Sequence, residues 1–248
     1  MSEVAKGTTS IVLPKTRTKA SRKSPRKLII FSPPKVGKTT CIAGLDNNLI
    51  LDLEQGSEFV DAMKINIDSL ATLRAVGEQI KAEGNPYRYI TVDTITVLED
   101  MVKPLALKNY QATPIGKNYN GDILNLPQGA GYGYLRAAFF SVLEYIETLA
   151  ENIILVGHQK DKLIEVNSKE VTAKSLDLVG KLASLVCADA DAIGILQRKD
   201  NQTILNFKTM DTIICGARPE HLRNKEVVIA EQQEDGSIKT FWDRVYVD

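Results

Sequence analysis

Residues 28–40, LIIFSPPKVGKTT, join a short apolar run to a loop that fits G-x-x-x-x-G-K-[ST] at every fixed position except the first. This stretch constrains the fold more than any other. Backbone N–H groups can wrap a triphosphate here only if a strand delivers the loop and a helix leaves it. Ser32, Pro33, Pro34, Lys35, Val36, Gly37, Lys38, Thr39 and Thr40 are therefore the expected nucleotide-binding residues. Lys38 would reach the β- and γ-phosphates, and the Thr39 hydroxyl would bind Mg²⁺. Ser32 stands where glycine is usual, and serine does not share glycine's freedom to adopt positive φ.

The pattern beyond the loop alternates strand and helix. It predicts a strand over 28–32, a helix over 38–45, a strand over 48–53, a short helix near 57–63, a short strand over 65–67 and a helix over 69–83. A strand over 88–93, a helix over 95–109, a long loop over 110–133, a helix over 134–150 and a strand over 152–157 follow. Then come a polar segment, 158–176, a helix over 178–187, and strands near 191–198, 202–208 and 226–230. Such alternation argues an α/β fold with a mainly parallel central sheet flanked by helices. The late strands read as antiparallel, because Lys199-Asp200-Asn201 is a short polar turn between two of them.

The 248 residues, 44% hydrophobic and 25% charged, suit one such domain with a large core. No apolar run reaches the length of a membrane span, so a membrane is not an expected partner. Cys41, Cys187 and Cys215 are odd in number and widely spaced, as small core residues of a reducing compartment would be, and the cytoplasm is the expected location. The zero net charge conceals an asymmetry. Residues 1–27 hold eight basic residues and one acid, and the remainder 23 basic and 30 acidic. We read 1–26 as a basic flexible arm, suited to nucleic acid, solubility or docking, and 27–248 as the core. Ile11, Val12 and Leu13 form an apolar island able to add a strand to a neighbouring subunit's sheet.

Three further strand ends carry polar groups. YITVD (89–93) ends in Asp93, placed to hold Mg²⁺ as a Walker B carboxylate. LILDLEQGSEF (49–59) ends in Asp52 and Glu54; Glu54 is the candidate general base for a water, and Asp52 the residue suited to structural hydrogen bonds. NIILVG (152–157) runs into His158 and Gln159, either of which would sense a γ-phosphate beside Asp93.

Together these motifs resemble the RecA-type recombinase core. They are most similar to the small single-domain RecA-like ATPases of phages associated with single-strand annealing and recombination. The likeness is carried by FSPPKVGKTT, LDLEQGS, YITVDTITVLEDM, NIILVGHQK, LDLVGKLASLVCADADAIGIL and FKTMDTIICGARPEHL, and spans nearly all of 28–222. It implies a P-loop NTPase of RecA-like type that binds ATP through Lys38 and Thr39, holds Mg²⁺ through Asp93, activates water with Glu54 and senses with Gln159. It also implies a DNA-stimulated ATPase and a homo-oligomer, ring or filament, in which a basic residue reaches the ATP of the next subunit. Lys208 and Arg218 are the candidates for that role. Single-stranded DNA is the implied partner, held by two segments. The first, 110–136, offers Lys117, Tyr119, Tyr132, Tyr134 and Arg136; the second, 159–176, offers Lys160 and Lys162, but its four lysines, with Lys169 and Lys174, are partly offset by Asp161, Glu165 and Glu170, so a solvated hairpin is the alternative there. A single-strand DNA-binding protein is a further implied partner, and the location becomes a bacterial host's cytoplasm if the chain is phage-encoded.

Other P-loop families fit less well. A ParA-like partition ATPase carries a lysine five positions before the second one, where this chain has Pro33. Small-molecule kinases use an arginine-rich lid, and Arg136 is the sole arginine between 110 and 176. A nucleotide-gated scaffold that does not hydrolyse ATP remains the alternative from a different class.

Overall fold

Strand β1 (Lys27–Ser32) is buried at every position in the computed structural model, which describes residues 13–166, 169–210 and 212–247. Its side chains alternate between two cores: Ile29 and Phe31 join one, Leu28 and Ile30 the other. An unbroken apolar run becomes a central strand because both faces of a parallel sheet are covered. Strands β2 (Asn48–Asp52), β3 (Lys64–Asn66), β4 (Tyr89–Asp93), β5 (Asn152–Val166), β6 (Lys169–Leu176) and β7 (Ala192–Lys199) follow. The last are β8 (Gln202–Asn206), β9 (Gly216–Ala217), β10 (Glu226–Gln232) and β11 (Ile238–Thr240). The helices are α1 (Lys38–Ala43), α2 (Leu70–Ala82), α3 (Ile95–Gln111), α4 (Ala130–Glu147) and α5 (Leu182–Asp189).

Across the sheet the order is β11, β10, β8, β7, β1, β5, β4, β2, β3, with β6 paired to β5 and β9 to β7. The block from β7 to β3 is parallel. β8, β10 and β11 extend it antiparallel, with Lys199 opposite Gln202 at the expected turn. β5 lies between the P-loop strand and β4. Ligands in such sheets sit at the carboxyl ends of the strands, near the point where the strand order reverses. Helices α2, α3, α4 and α5 contribute to the first core, and α1 with Trp242, Val245 and Tyr246 to the second. Trp242 Nε1 donates to Cys41 O at 2.8 Å and Thr240 Oγ1 to Gly44 O at 2.9 Å, so this late segment covers the short helix after the P-loop.

Three expectations are corrected. The helix near 57–63 is absent, because Asp52 gathers the N–H groups of Gly56 and Ser57 and the Ser57 hydroxyl, while Lys64 binds Ser57 O and Val60 O. These bonds fold the segment into turns. The polar segment 158–176 is a long β-hairpin, β5 running on to Val166 and returning as β6 with Gln159 opposite Leu176. The loop over 110–133 is largely ordered: α3 reaches Gln111, two 3₁₀ turns cover Ile123–Asn125 and Pro127–Gly129, and α4 begins at Ala130. Glycine is needed at 131, where an added Cβ would lie 1.7 Å from Ile123 O. Gly131→Ala must push the two segments apart, with an expected destabilisation of about 2–3 kcal/mol, checked by denaturant unfolding. Of the apolar island, Ile11 and Val12 lie outside the described residues and Leu13 is exposed.

Candidate active site

β1 ends at Ser32, in register with His158 of β5, so residue 32 is still extended strand. The left-handed backbone comes later, at Lys35 (φ 61°) and Gly37 (φ 101°). The strain expected for serine at position 32 therefore does not arise. Ser32 is wholly buried, and its hydroxyl donates to Pro33 O at 2.8 Å and accepts from Lys38 Nζ at 3.3 Å. Pro33, Pro34 and Lys35 form the exposed rim; Val36, Thr39 and Thr40 are half-buried. Ser32→Gly is expected to keep ATP affinity within about threefold while costing about 0.5–1 kcal/mol of stability through backbone entropy, read by calorimetric titration and thermal melting.

Lys38 is only 8% exposed, and its other partner is Pro33 O at 3.3 Å. Burial lowers its pKa, opposed by Asp93 and Glu54. An ammonium so desolvated, with two long hydrogen bonds, gains strongly from phosphate oxygens. At Gly37 an added Cβ would meet nothing within 4 Å, so the front of the loop is open.

Thr39 Oγ1 donates to Asp93 Oδ2 at 2.9 Å across the tip of β4. Asp93 is 4% exposed, and burial pushes its carboxyl up to about 6. The Thr39 hydroxyl opposes this, Glu54 and Asp52 add to it, and Lys38 opposes it. A hydroxyl and a carboxylate are oxygen ligands suited to Mg²⁺, which usually keeps several waters and takes phosphate oxygens from its substrate. Among the described residues no group of three His, Cys, Asp or Glu would hold a metal alone.

Glu54 follows β2, whose last residue, Asp52, is level with Asp93. Its Oε1 accepts from Thr94 Oγ1 at 2.7 Å and lies 2.6 Å from His158 Nε2. Thr94 is the N-cap of α3, accepting the Val97 N–H, which aims its own proton at Glu54. Sequence reasoning overlooked Thr94, although a threonine between a strand and an apolar helix is a recognisable cap signal. It also missed that His158 touches the candidate base. Asp52 is structural, as anticipated.

Gln159, next on β5, donates through Nε2 to Asp161 at 3.2 Å; its Oε1 is buried without a partner. It lines a cavity of about 520 Å³ with Pro33, Val36 and Lys174, beside the P-loop. The His158 N–H donates to Thr96 Oγ1, which donates to Asp177 O. Both Glu99 oxygens accept the Val179 N–H, and burial raises that carboxyl's pKa. Thus α3 fastens both ends of the β5–β6 hairpin to the tip that bears Glu54's partner.

The other expected residues lie apart from this cluster. Tyr119 and Tyr134 pack edge-on against Tyr110, at 5.5 and 5.2 Å between ring centres. Tyr132 lies beside Gly129 and Gly180, Arg136 is half-buried and Lys117 exposed. Lys160 bonds Leu178 O and Asp177, and Lys162 is exposed on the hairpin. The Lys169 side chain lies outside the described residues. Lys208 pairs with Glu226 at 2.8 Å. Arg218 pairs with Asp191, which bonds Lys27 O at the start of β1, the sheet edge opposite the P-loop.

A family model described as "AAA domain" matches residues 24–218. The chain belongs to the AAA domain family. The match spans the P-loop, Glu54, Asp93 and the β5–β6 hairpin. Among solved structures, the RadB recombinase crystal structure is similar at a TM-score of 0.46 and 11% identity, covering 88% of this chain and 92% of that chain. No curated protein matches the chain. Among the described residues of this AAA domain, no helix is long and apolar enough to cross a membrane.

Proposed function

We propose that this protein binds ATP with Mg²⁺, hydrolyses it, and acts on single-stranded DNA in recombination or annealing. The observation that carries the reading is the Glu54 carboxylate. It sits past the strand beside β4, oriented by Thr94 and His158, with Asp93 level with the end of β2. In this reading Lys38 neutralises phosphate charge, Thr39 and Asp93 hold Mg²⁺, and Glu54 accepts the proton of the attacking water. Mg²⁺ would supply further neutralisation of phosphate charge. Gln159 would give its unpartnered oxygen, or its amide after rotating, to the sensing of the γ-phosphate.

The DNA part of the reading rests on the sequence motifs and on the exposed Lys117 and Lys162. Homo-oligomers would bring Lys208 or Arg218 to a neighbour's ATP once their ion pairs open, and a single-strand DNA-binding protein would share the DNA. Three buried free cysteines favour a reducing cytoplasm, a bacterial host's if phage-encoded. The test is the ATPase rate with and without a single-stranded oligonucleotide. Several-fold stimulation is expected. Nucleotide binding with no turnover in either condition would instead make the chain a nucleotide-gated scaffold.

A further inference from the structure

The sheet edge opposite the nucleotide has an open cleft of about 700 Å³ between residues 20–24 and the turn 218–225. Five of its side chains are cations, Arg22, Lys23, Arg218, Arg223 and Lys225, against the carboxylates Asp191 and Glu220. Asp191 is already engaged by Arg218 and by the backbone N–H groups of Arg26 and Lys27. Arg22 is anchored on Glu151 and Asn152, so the wall is fixed, while Lys23 and Lys225 are exposed. The arm leads into this cleft with Lys15, Arg17 and Lys19, all exposed, and no acid occurs between residues 4 and 45. Positive charge is thus concentrated at one edge of a chain whose remaining body is acidic.

We propose that this cleft, together with residues 15–23, binds the phosphodiester backbone of single-stranded nucleic acid, at an edge separate from the ATP site. The proposal rests on the single-stranded DNA reading above and moves the main contact away from segments 110–136 and 159–176. A row of cations separated by at most two residues suits a linear polyanion with a charge on every monomer. Thr16, Thr18 and Ser21 add hydroxyl donors, and guanidinium groups bind phosphate oxygens in pairs. Among the described residues the cleft lining has no Phe, Tyr or Trp, so binding there is independent of base identity and sensitive to salt. Two of the tyrosines expected to stack on bases, Tyr119 and Tyr134, are packed on Tyr110 instead.

The test is fluorescence anisotropy of a labelled oligothymidylate with the full chain over a salt series. It compares the wild type with K23E/K225E at the cleft and K117E/K162E on the two segments. The cleft variant is expected to bind at least about tenfold more weakly, with a salt slope shallower by at least about 1.4, near 0.7 for each phosphate no longer neutralised. Its basal ATPase should equal that of the wild type, and K117E/K162E should change affinity less than about threefold. If K23E/K225E binds like the wild type while K117E/K162E does not, the cleft assignment is wrong and the DNA reading survives. If the wild type does not bind at all, the DNA reading falls and the cleft assignment with it. Displacement of the oligonucleotide by polyglutamate as readily as by unlabelled strand would make the ligand an acidic protein segment and overturn the proposal.

Discussion

Asp93→Asn is expected to raise the melting temperature of the nucleotide-free protein and, under the proposed function, to cut ATP turnover at least about a hundredfold. Burial holds the Asp93 carboxyl at about 6, so the ionised form is disfavoured in the folded chain. The sign follows from proton counting. Between about pH 4 and 6 the folded state binds more protons at this group than the unfolded state, so its contribution to stability falls as pH rises through that window. Above pH 6 the full penalty is present. A rise of about two pKa units corresponds to about 3 kcal/mol, and Asn should recover about 1–3 kcal/mol at pH 7 while still accepting from Thr39. For a chain of this size that is a gain of several degrees. The difference in melting temperature between variant and wild type should vanish near pH 4. Turnover should nonetheless fall at least about a hundredfold, because an amide cannot supply the charge that Mg²⁺ requires. A variant that melts below the wild type at pH 7 would contradict this account of Asp93.

Glu54→Gln is the second large effect. The amide still accepts from Thr94 but cannot take a proton from water, so hydrolysis should drop about 10²- to 10⁴-fold with ATP affinity nearly unchanged. His158→Ala leaves the base present and removes one of its two orienting partners, which predicts a smaller loss in kcat, about tenfold, with KM little altered. Single-turnover rates and nucleotide titrations separate the two. A larger loss in His158→Ala than in Glu54→Gln would mean that His158, rather than Glu54, handles the proton.

The strand-tip acids were legible because each depends on a short local pattern: an apolar run, then a carboxylate. Glu54 and Asp93 needed nothing beyond the alternation of strands to be placed on one edge. The partners of Glu54 were not legible, since His158 lies 104 positions away and meets it only because β5 inserts between β1 and β4. The hairpin over 158–176 was read as a polar segment, with a solvated hairpin only as its alternative. Past Lys160 its Asp161, Lys162 and Leu163 are exposed, so no period of two marked it as strand. The expected helix near 57–63 lost to the side-chain bonds of Asp52, which no propensity encodes. Tyr119 and Tyr134 had the composition of a stacking surface, and their own packing on Tyr110 is what orders the segment. Ser32 looked like a defect because the motif's first glycine was assumed to need positive φ; the turn places that demand on Lys35 and Gly37 instead.

Helix α1 is six residues long, too short to hold its shape unaided, and its carbonyls at Cys41 and Gly44 are covered by Trp242 and Thr240. Cys41 and Trp242 are 201 positions apart. During synthesis the P-loop therefore emerges long before the residues that brace it. A growing chain carries the P-loop without a finished brace until the strand and turn that close over α1 have left the ribosome.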